Sequence, residues 1–185
     1  MQNRILLRLL DRLYRQLRSK KSVAWNRCLP FAELLVDRWE KSRFLGFGEK
    51  TSIYDSSYIF GQVKVGQNTW IGPFTILDGA GGLEIGDFCS ISAGVQIYTH
   101  DSVAWALSGG QASYEYGPVK IGDRCYLGPN TIVARGVTIG SGSVIGANSL
   151  VLHSIPENSR AWGTPCRVVG DPGNVLTPEL TAGKS

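Results

Sequence analysis

An aliphatic residue returns at every sixth position through most of the stretch from Ile53 to Val151. The series runs Ile53, Ile59, Val65, Ile71 and Leu77, resumes with Ile85, Ile91 and Ile97, and resumes again with Ile121, Leu127, Val133, Ile139, Ile145 and Val151. Such a period suits neither an α-helix nor a strand with two alternating faces. It suits a chain that turns a corner every six residues and points one apolar side chain inward from each side, three sides closing one coil. The position after the aliphatic residue is often glycine (Gly66, Gly72, Gly86, Gly122, Gly128, Gly140, Gly146), which accepts either a positive φ or a crowded backbone. Four residues after the aliphatic stand small or β-branched side chains such as Thr69, Thr75, Cys89, Val95, Cys125, Thr131, Ser143 and Ser149. These suit short strands stacked on the coils above and below. A sandwich of ordinary short strands would not keep a fixed six. The pattern therefore predicts an all-β solenoid, a parallel β-helix over residues 51–170, with a helical arm at 1–50 and a flexible tail at 171–185.

The arm reads differently. Ile5, Leu6, Leu9, Leu10, Leu13 and Leu17 form a helical stripe, with Arg4, Arg8, Arg12, Arg15 and Arg18 largely off it. A second helical segment spans Phe31 to Phe44 and carries Leu34, Leu35 and Trp39. The chain's net charge of +4 comes from this arm, whose basic residues far outnumber its acidic ones, while the solenoid is mildly acidic. Residues 31–50 are expected to cap the first coil, whose exposed end would otherwise leave apolar surface and strand edges open. For residues 1–20 two readings stand side by side: a cap, or a basic amphipathic helix in peripheral contact with the inner face of an anionic membrane. Nucleic-acid binding is not expected, because the solenoid shows no basic run or recognised binding motif. No apolar run is long enough to span a bilayer and no signal-peptide core is visible, so a cytoplasmic location is expected.

Two interruptions break the rhythm and draw attention to chemistry. Leu77 to Ile85 is two residues too long, through Asp78-Gly79-Ala80-Gly81-Gly82. Ile97 to Ile121 is a much longer excursion, a loop over 98–118 that starts Tyr98-Thr99-His100-Asp101 and continues through Trp105, Gly109-Gly110 and Tyr114-Glu115-Tyr116 to Pro118. Long loops on rigid scaffolds commonly carry function. His100, one of only two histidines with His153, stands where coil gives way to loop, where an imidazole can serve as general base. No metal is expected: a zinc site usually takes three or four ligands, and two histidines cannot supply the three-histidine set of a zinc enzyme on such a scaffold. Cys89 and Cys125 fill the small slot of their hexads, and Cys28 and Cys166 show no ligand or disulfide spacing.

The ordered combination of motifs resembles the hexapeptide-repeat acetyltransferases. It includes Gly81-Gly-Leu-Glu-Ile-Gly-Asp87, Thr99-His-Asp101, Val119-Lys-Ile-Gly-Asp123, Gly136-Val-Thr-Ile-Gly140, Val144-Ile-Gly-Ala147, Ile155-Pro156 and Ala161-Trp-Gly-Thr-Pro-Cys-Arg-Val168. The nearest groups are those that O-acetylate capsule and exopolysaccharide sugars and the galactoside, maltose and xenobiotic acetyltransferases. The resemblance implies a left-handed β-helix, a homotrimer with active sites between subunits, acetyl-coenzyme A as co-substrate and a carbohydrate acceptor. It implies His100 as the catalytic base, with Gly128, Ala147, Trp162, Gly163 and Arg167 along the coenzyme. Asp78, Trp105, Tyr114 and Tyr126 are expected at the acceptor, Tyr126 standing where many relatives have Trp. His153 replaces a common Lys, and Ser102 replaces the second His of a Thr-His-Asp-His motif. An O-acetyltransferase acting on a sugar hydroxyl is the leading expectation. An N-acetyltransferase for an amino sugar, a xenobiotic transferase and a non-catalytic hexapeptide scaffold are the alternatives.

Overall fold

A computed structural model describes residues 2–171, with side chains from Arg4 onward; the rest of the expected tail, 172–185, lies outside the described residues. Helix α1 (Gln2–Trp25) leads into two short helices, α2 (Phe31–Leu35) and α3 (Arg38–Phe44). The coils begin with β1 (Ser52–Ile53), β2 (Tyr58–Val65), β3 (Trp70–Ile71), β4 (Ile76–Ile85), β5 (Ser90–Ile91) and β6 (Gln96–Ile97). The long loop holds β7 (His100–Asp101), α4 (Val103–Leu107) and β8 (Glu115–Tyr116). The coils then resume through β9 (Val119–Ile121), β10 (Tyr126–Leu127), β11 (Ile132–Val133), β12 (Thr138–Ile139), β13 (Val144–Ile145) and β14 (Leu150–Val151), and a hairpin of β15 (Arg160–Gly163) and β16 (Cys166–Gly170) ends them.

The hexads stack in parallel. On one side of the prism Ile53, Ile71, Ile91, Leu127, Ile145 and Ala161 lie rung on rung. On the second, Ile59, Leu77, Ile97, Val133 and Val151 do the same. Val65, Ile85, Ile121 and Ile139 line the third, where Ile139 bridges to Ile155. Nearly all these side chains are fully buried in one continuous core, so the apolar rhythm is a record of core positions. The result is a parallel β-solenoid with an N-terminal helical arm.

The glycines after the aliphatic residues are required by crowding. A Cβ on Gly128 would lie 2.5 Å from the Ala147 nitrogen, and one on Gly140 would lie 2.3 Å from the Glu157 nitrogen. Positive φ sits two residues further on, at Asn68, Phe74, Phe88, Arg124, Asn130, Asn148 and Asn158, with Gly94, Gly136 and Gly142 in equivalent places. Asparagine tolerates that left-handed corner better than most residues. Gly128→Ala is accordingly expected to lower stability by about 1–3 kcal/mol, read as an earlier urea midpoint with an unchanged slope.

The small slot has a polar task as well as a steric one. Thr51 and Thr69 donate through Oγ1 to the carbonyls of Gly66 (2.6 Å) and Gly86 (2.9 Å). Cys89 and Cys125 donate through Sγ to Gly122 and Gly140, and Ser143 continues the ladder to Pro156. The two thiols thus occupy rungs of a hydroxyl and thiol ladder that satisfies corner carbonyls.

At the N-terminal end the arm grips the first corner. Buried Glu33 accepts hydrogen bonds from the backbone N–H groups of Asp55 and Ser56 and from the Ser56 hydroxyl. Lys41 donates to the Tyr54 and Asp55 carbonyls and pairs with the Asp55 carboxylate. Asp37 caps α3 by accepting from the N–H groups of Trp39 and Glu40, and Phe47 enters the core. Helix α1 meets α2 with Tyr14 edge-on to Phe31. Among the described residues no helix is long and apolar enough to cross a membrane.

Candidate active site

Both interruptions of the hexads fall at the same corner of the prism, in successive coils. Asp78 follows Leu77, and Leu77 is the register partner of Ile97, which precedes Tyr98-Thr99-His100. The two extra residues let β4 continue round the corner, where Gly81 donates its N–H to Thr99 Oγ1. A Cβ on Gly81 would lie 2.4 Å from the Thr99 carbonyl oxygen, so glycine is needed for the coils to approach there.

This packing brings Asp78 beneath His100. His100 Nδ1 lies 2.6 Å from Asp78 Oδ2, and that oxygen also accepts from the Thr99 N–H and hydroxyl at 2.8 and 3.1 Å. Asp78 Oδ1 accepts from the Ala80 N–H at 3.0 Å. Burial pushes the Asp78 carboxyl up, but the hydrogen bonds from Ala80, Thr99 and His100 together outweigh it and hold the carboxyl below its ordinary value. A carboxylate only accepts, so His100 must carry its proton on Nδ1, which leaves Nε2 as the ring's acceptor nitrogen. The sequence reading placed Asp78 at the acceptor. Only 2 % exposed and engaged by all these donors, it has no surface to offer a sugar and is positioned to orient the histidine.

The loop folds back over the imidazole. Strands β7 and β8 pair antiparallel, His100 opposite Tyr116 and Asp101 opposite Glu115. Tyr114 stacks on His100 with ring centroids 6.0 Å apart and planes within 6°. Trp105 meets Tyr114 edge-on at 5.8 Å, and Tyr116 lies beside the imidazole at 5.9 Å. Two carboxylates facing each other across a ribbon would repel. Arg135, from the same corner of the next coil, pairs through Nε with Asp101 and through Nη2 with Glu115. Hydrogen bonding to Arg135, helped by the Val103 N–H, holds the Asp101 carboxyl below its usual range. Asp101, next in sequence to the histidine, therefore faces Arg135 while Asp78 serves His100.

Arg135 and Thr99 were missed as site residues by sequence reasoning. Arg135 was findable in principle by laying one coil over the next, since Val133 partners Ile97 and the corners that follow are neighbours. With the clasp broken in Arg135→Gln, the ribbon should loosen. We expect the KM for the acceptor to rise by about 3- to 10-fold in initial-rate kinetics, with a smaller change in kcat.

The residues expected along the coenzyme gather at a different corner. Gly128, Gly146 and Trp162 directly follow Leu127, Ile145 and Ala161 of successive rungs, with Ala147 one place beyond Gly146, and a Cβ on Gly146 would lie 2.8 Å from the Trp162 Cβ. Trp162 is half exposed, with the Arg160 guanidinium over its ring at 5.1 Å and Arg167 opposite it in the hairpin. The Gly163 N–H donates to Ser149 Oγ. Tyr126 stands outward on the neighbouring side between Ser90 and Val144. Within one chain this edge and the His100 corner are separate. His153 is exposed. Among the described residues no group of three or more His, Cys, Asp or Glu is arranged to hold a metal ion.

Comparison with known proteins gives the family. Residues 118–153 match the family described as bacterial transferase hexapeptide (six repeats), and residues 62–99 match the hexapeptide repeat of succinyl-transferase. The galactoside O-acetyltransferase of Escherichia coli K12 is 30% identical over 125 residues, 57% of this chain, and the match spans 62% of that protein. The putative colanic acid biosynthesis acetyltransferase WcaF of the same organism is 30% identical over 128 residues, 60% of this chain and 70% of that one. The solved structure of a maltose O-acetyltransferase from Clostridium difficile 630 superimposes with a TM-score of 0.64 at 32% identity, covering 88% of each chain. Relatives at 30% identity or more, matched over 70% and 88% of their own lengths, mean that this chain belongs to the hexapeptide-repeat acetyltransferase family.

Proposed function

We propose that the protein is an acetyl-coenzyme A-dependent O-acetyltransferase acting on a sugar hydroxyl of a polysaccharide, glycolipid or oligosaccharide. The observation that carries this reading is the Asp78–His100 pair, a histidine whose acceptor nitrogen is fixed by a buried carboxylate at the foot of an aromatic loop. His100 Nε2 takes the proton of the acceptor hydroxyl as its oxygen attacks the thioester carbonyl. As the carbon–sulfur bond breaks, His100 returns that proton to the departing thiolate. No protein acyl intermediate is needed, and the buried thiols of Cys89 and Cys125 remain in their ladder. Tyr114 and Trp105, both partly exposed beside His100, offer the flat apolar faces on which pyranose rings stack, and Asp78 acts as a positioning residue.

The edge along Gly128, Ala147, Trp162 and Gly163 suits a long coenzyme. Exposed Ala147 and partly exposed Gly163 offer a low surface to a pantetheine arm, and Arg160 and Arg167 supply cations for phosphates. Acetyl-coenzyme A bound there would supply the thioester. Because the coenzyme edge and the His100 corner lie apart on one prism, a cleft that joins them forms when a second copy stands alongside. This favours a homotrimer with shared active sites, as the resemblance implies.

Relatives of similar identity whose names specify hydroxyl transfer favour O- over N-acetylation. The test is to incubate the full chain with acetyl-coenzyme A and a panel of neutral and amino sugars, following free thiol and the product. The expected result is acceptor-dependent thiol release with a hydroxylamine-labile acetyl ester on a sugar. A stable amide on an amino sugar would instead establish N-transfer. Thiol release independent of every acceptor would remove the sugar from the proposal.

A further inference from the structure

We propose that helix α1 is a surface anchor that lays its apolar face into an anionic lipid bilayer. Ile5, Leu6, Leu9, Leu10 and Leu13 are between 39 and 59 % exposed, on one side of a helix about 36 Å long. Only the C-terminal part of that side is covered, where Tyr14 and Leu17 are half-buried and Tyr14 meets Phe31 of α2. On a helical wheel Arg4, Arg8, Arg12, Arg15 and Arg18 fall on the opposite side, with Asp11 as the single carboxylate among them. Asp11 pairs with Arg15, and Arg18 lies over the Tyr14 ring.

The charge balance identifies the occupant. A second copy of α1 packed on the stripe would bury its leucines but leave a face of five arginines and one aspartate unused. An anionic bilayer engages both: leucines enter the acyl boundary while the long arginine side chains reach back to phosphates. No helix among the described residues can span the bilayer, so the contact is peripheral. Glu33 and Lys41 tie α2 and α3 to the first coil, and Tyr14 ties α1 to α2, so the anchor would hold the solenoid close to the surface. The inference is independent of the acyl-transfer reading.

The experiment is flotation of the full chain with vesicles of phosphatidylcholine containing about one third phosphatidylglycerol, against phosphatidylcholine alone. Binding is expected to the anionic vesicles only, weakening as salt is raised. Leu9→Asn with Leu13→Asn should reduce it by about tenfold or more, and Arg8→Gln with Arg12→Gln by a similar factor. Circular dichroism and light scattering of each variant establish that the solenoid and its assembly are retained. Absence of binding by the parent chain, or binding indifferent to the leucine pair, would overturn the proposal. An assembly that falls apart on the leucine substitutions while the parent ignores vesicles would assign the stripe to a second copy of the chain.

Discussion

Replacing His100 with alanine is expected to lower acceptor-dependent thiol release by about a hundred- to ten-thousand-fold, the range a positioned general base supplies. The loss should fall on kcat, because the imidazole acts on the proton in flight and not on the resting acceptor. Stability should change little. The side chain is 33% exposed and stands at the mouth of the corner, where a truncated ring leaves room for water. A melting curve alongside the rate measurement separates the two effects. Retention of most activity by a folded His100→Ala protein, with an identified acceptor, would remove the histidine from the mechanism.

Asp78→Asn should be nearly as damaging to rate, for a different reason. The amide is close to the carboxylate in shape but has one oxygen where Asp78 uses two, Oδ1 for Ala80 and Oδ2 for Thr99 and His100. With that oxygen turned to Ala80, its NH2 group takes the place of Oδ2 and donates to His100 Nδ1, which drives the imidazole proton to Nε2 and leaves no base facing the acceptor. A loss of about a thousandfold or more is expected, the size seen when a histidine base is put in the wrong tautomer. Asp78→Ala adds a loss of about 2–4 kcal/mol in stability, because the Ala80 and Thr99 donors are left without their buried acceptor.

The same carboxylate gives a pH signature. The folded value of Asp78 lies below the unfolded value of 3.8, since the hydrogen bonds outweigh the burial that raises it. Unfolded chains therefore bind more protons than folded ones in that region, and stability rises with pH there. The contribution is fully present above the unfolded value and is lost as pH falls through the lowered folded one. Acid unfolding should accordingly be steeper for the parent below about pH 4 than for Asp78→Asn.

The solenoid was readable because its code is local. Ile53, Ile71, Leu77, Ile91, Ile97, Leu127, Val133, Ile139, Ile145 and Val151 each point into the core with essentially no exposure, and each announces itself by spacing alone. The corners were less legible. Glycine after the aliphatic residue suggested either positive φ or crowding, and only the stacked coils show that crowding governs, with asparagines such as Asn130 and Asn148 taking the left-handed places. The breaks marked the corner of the candidate site, yet the links within it depend on which corner residue lies over which. His100 and Asp78 are 22 residues apart and Arg135 and Asp101 are 34 apart, so no local motif contains either pair. Asp78 keeps its coil register opposite Phe60. Leu77 lies on Ile97, so Asp78 meets His100 two places beyond the residue that register counting sets above it, which is why it read as an acceptor contact and not as the histidine's partner. Asp101 was the nearer carboxylate in sequence, but the ribbon turns it toward Arg135.

Base catalysis by His100 requires that Asp78 fix the imidazole tautomer. Nitrogen-15 NMR of the imidazoles tests it directly, and with only His100 and His153 in the chain a His153→Gln variant assigns the signals. While the His100 ring is neutral, the account predicts a protonated, pyrrole-type Nδ1 and a pyridine-type Nε2, with the pattern lost in Asp78→Asn. A pyridine-type Nδ1 and a protonated Nε2 in the parent protein would contradict it.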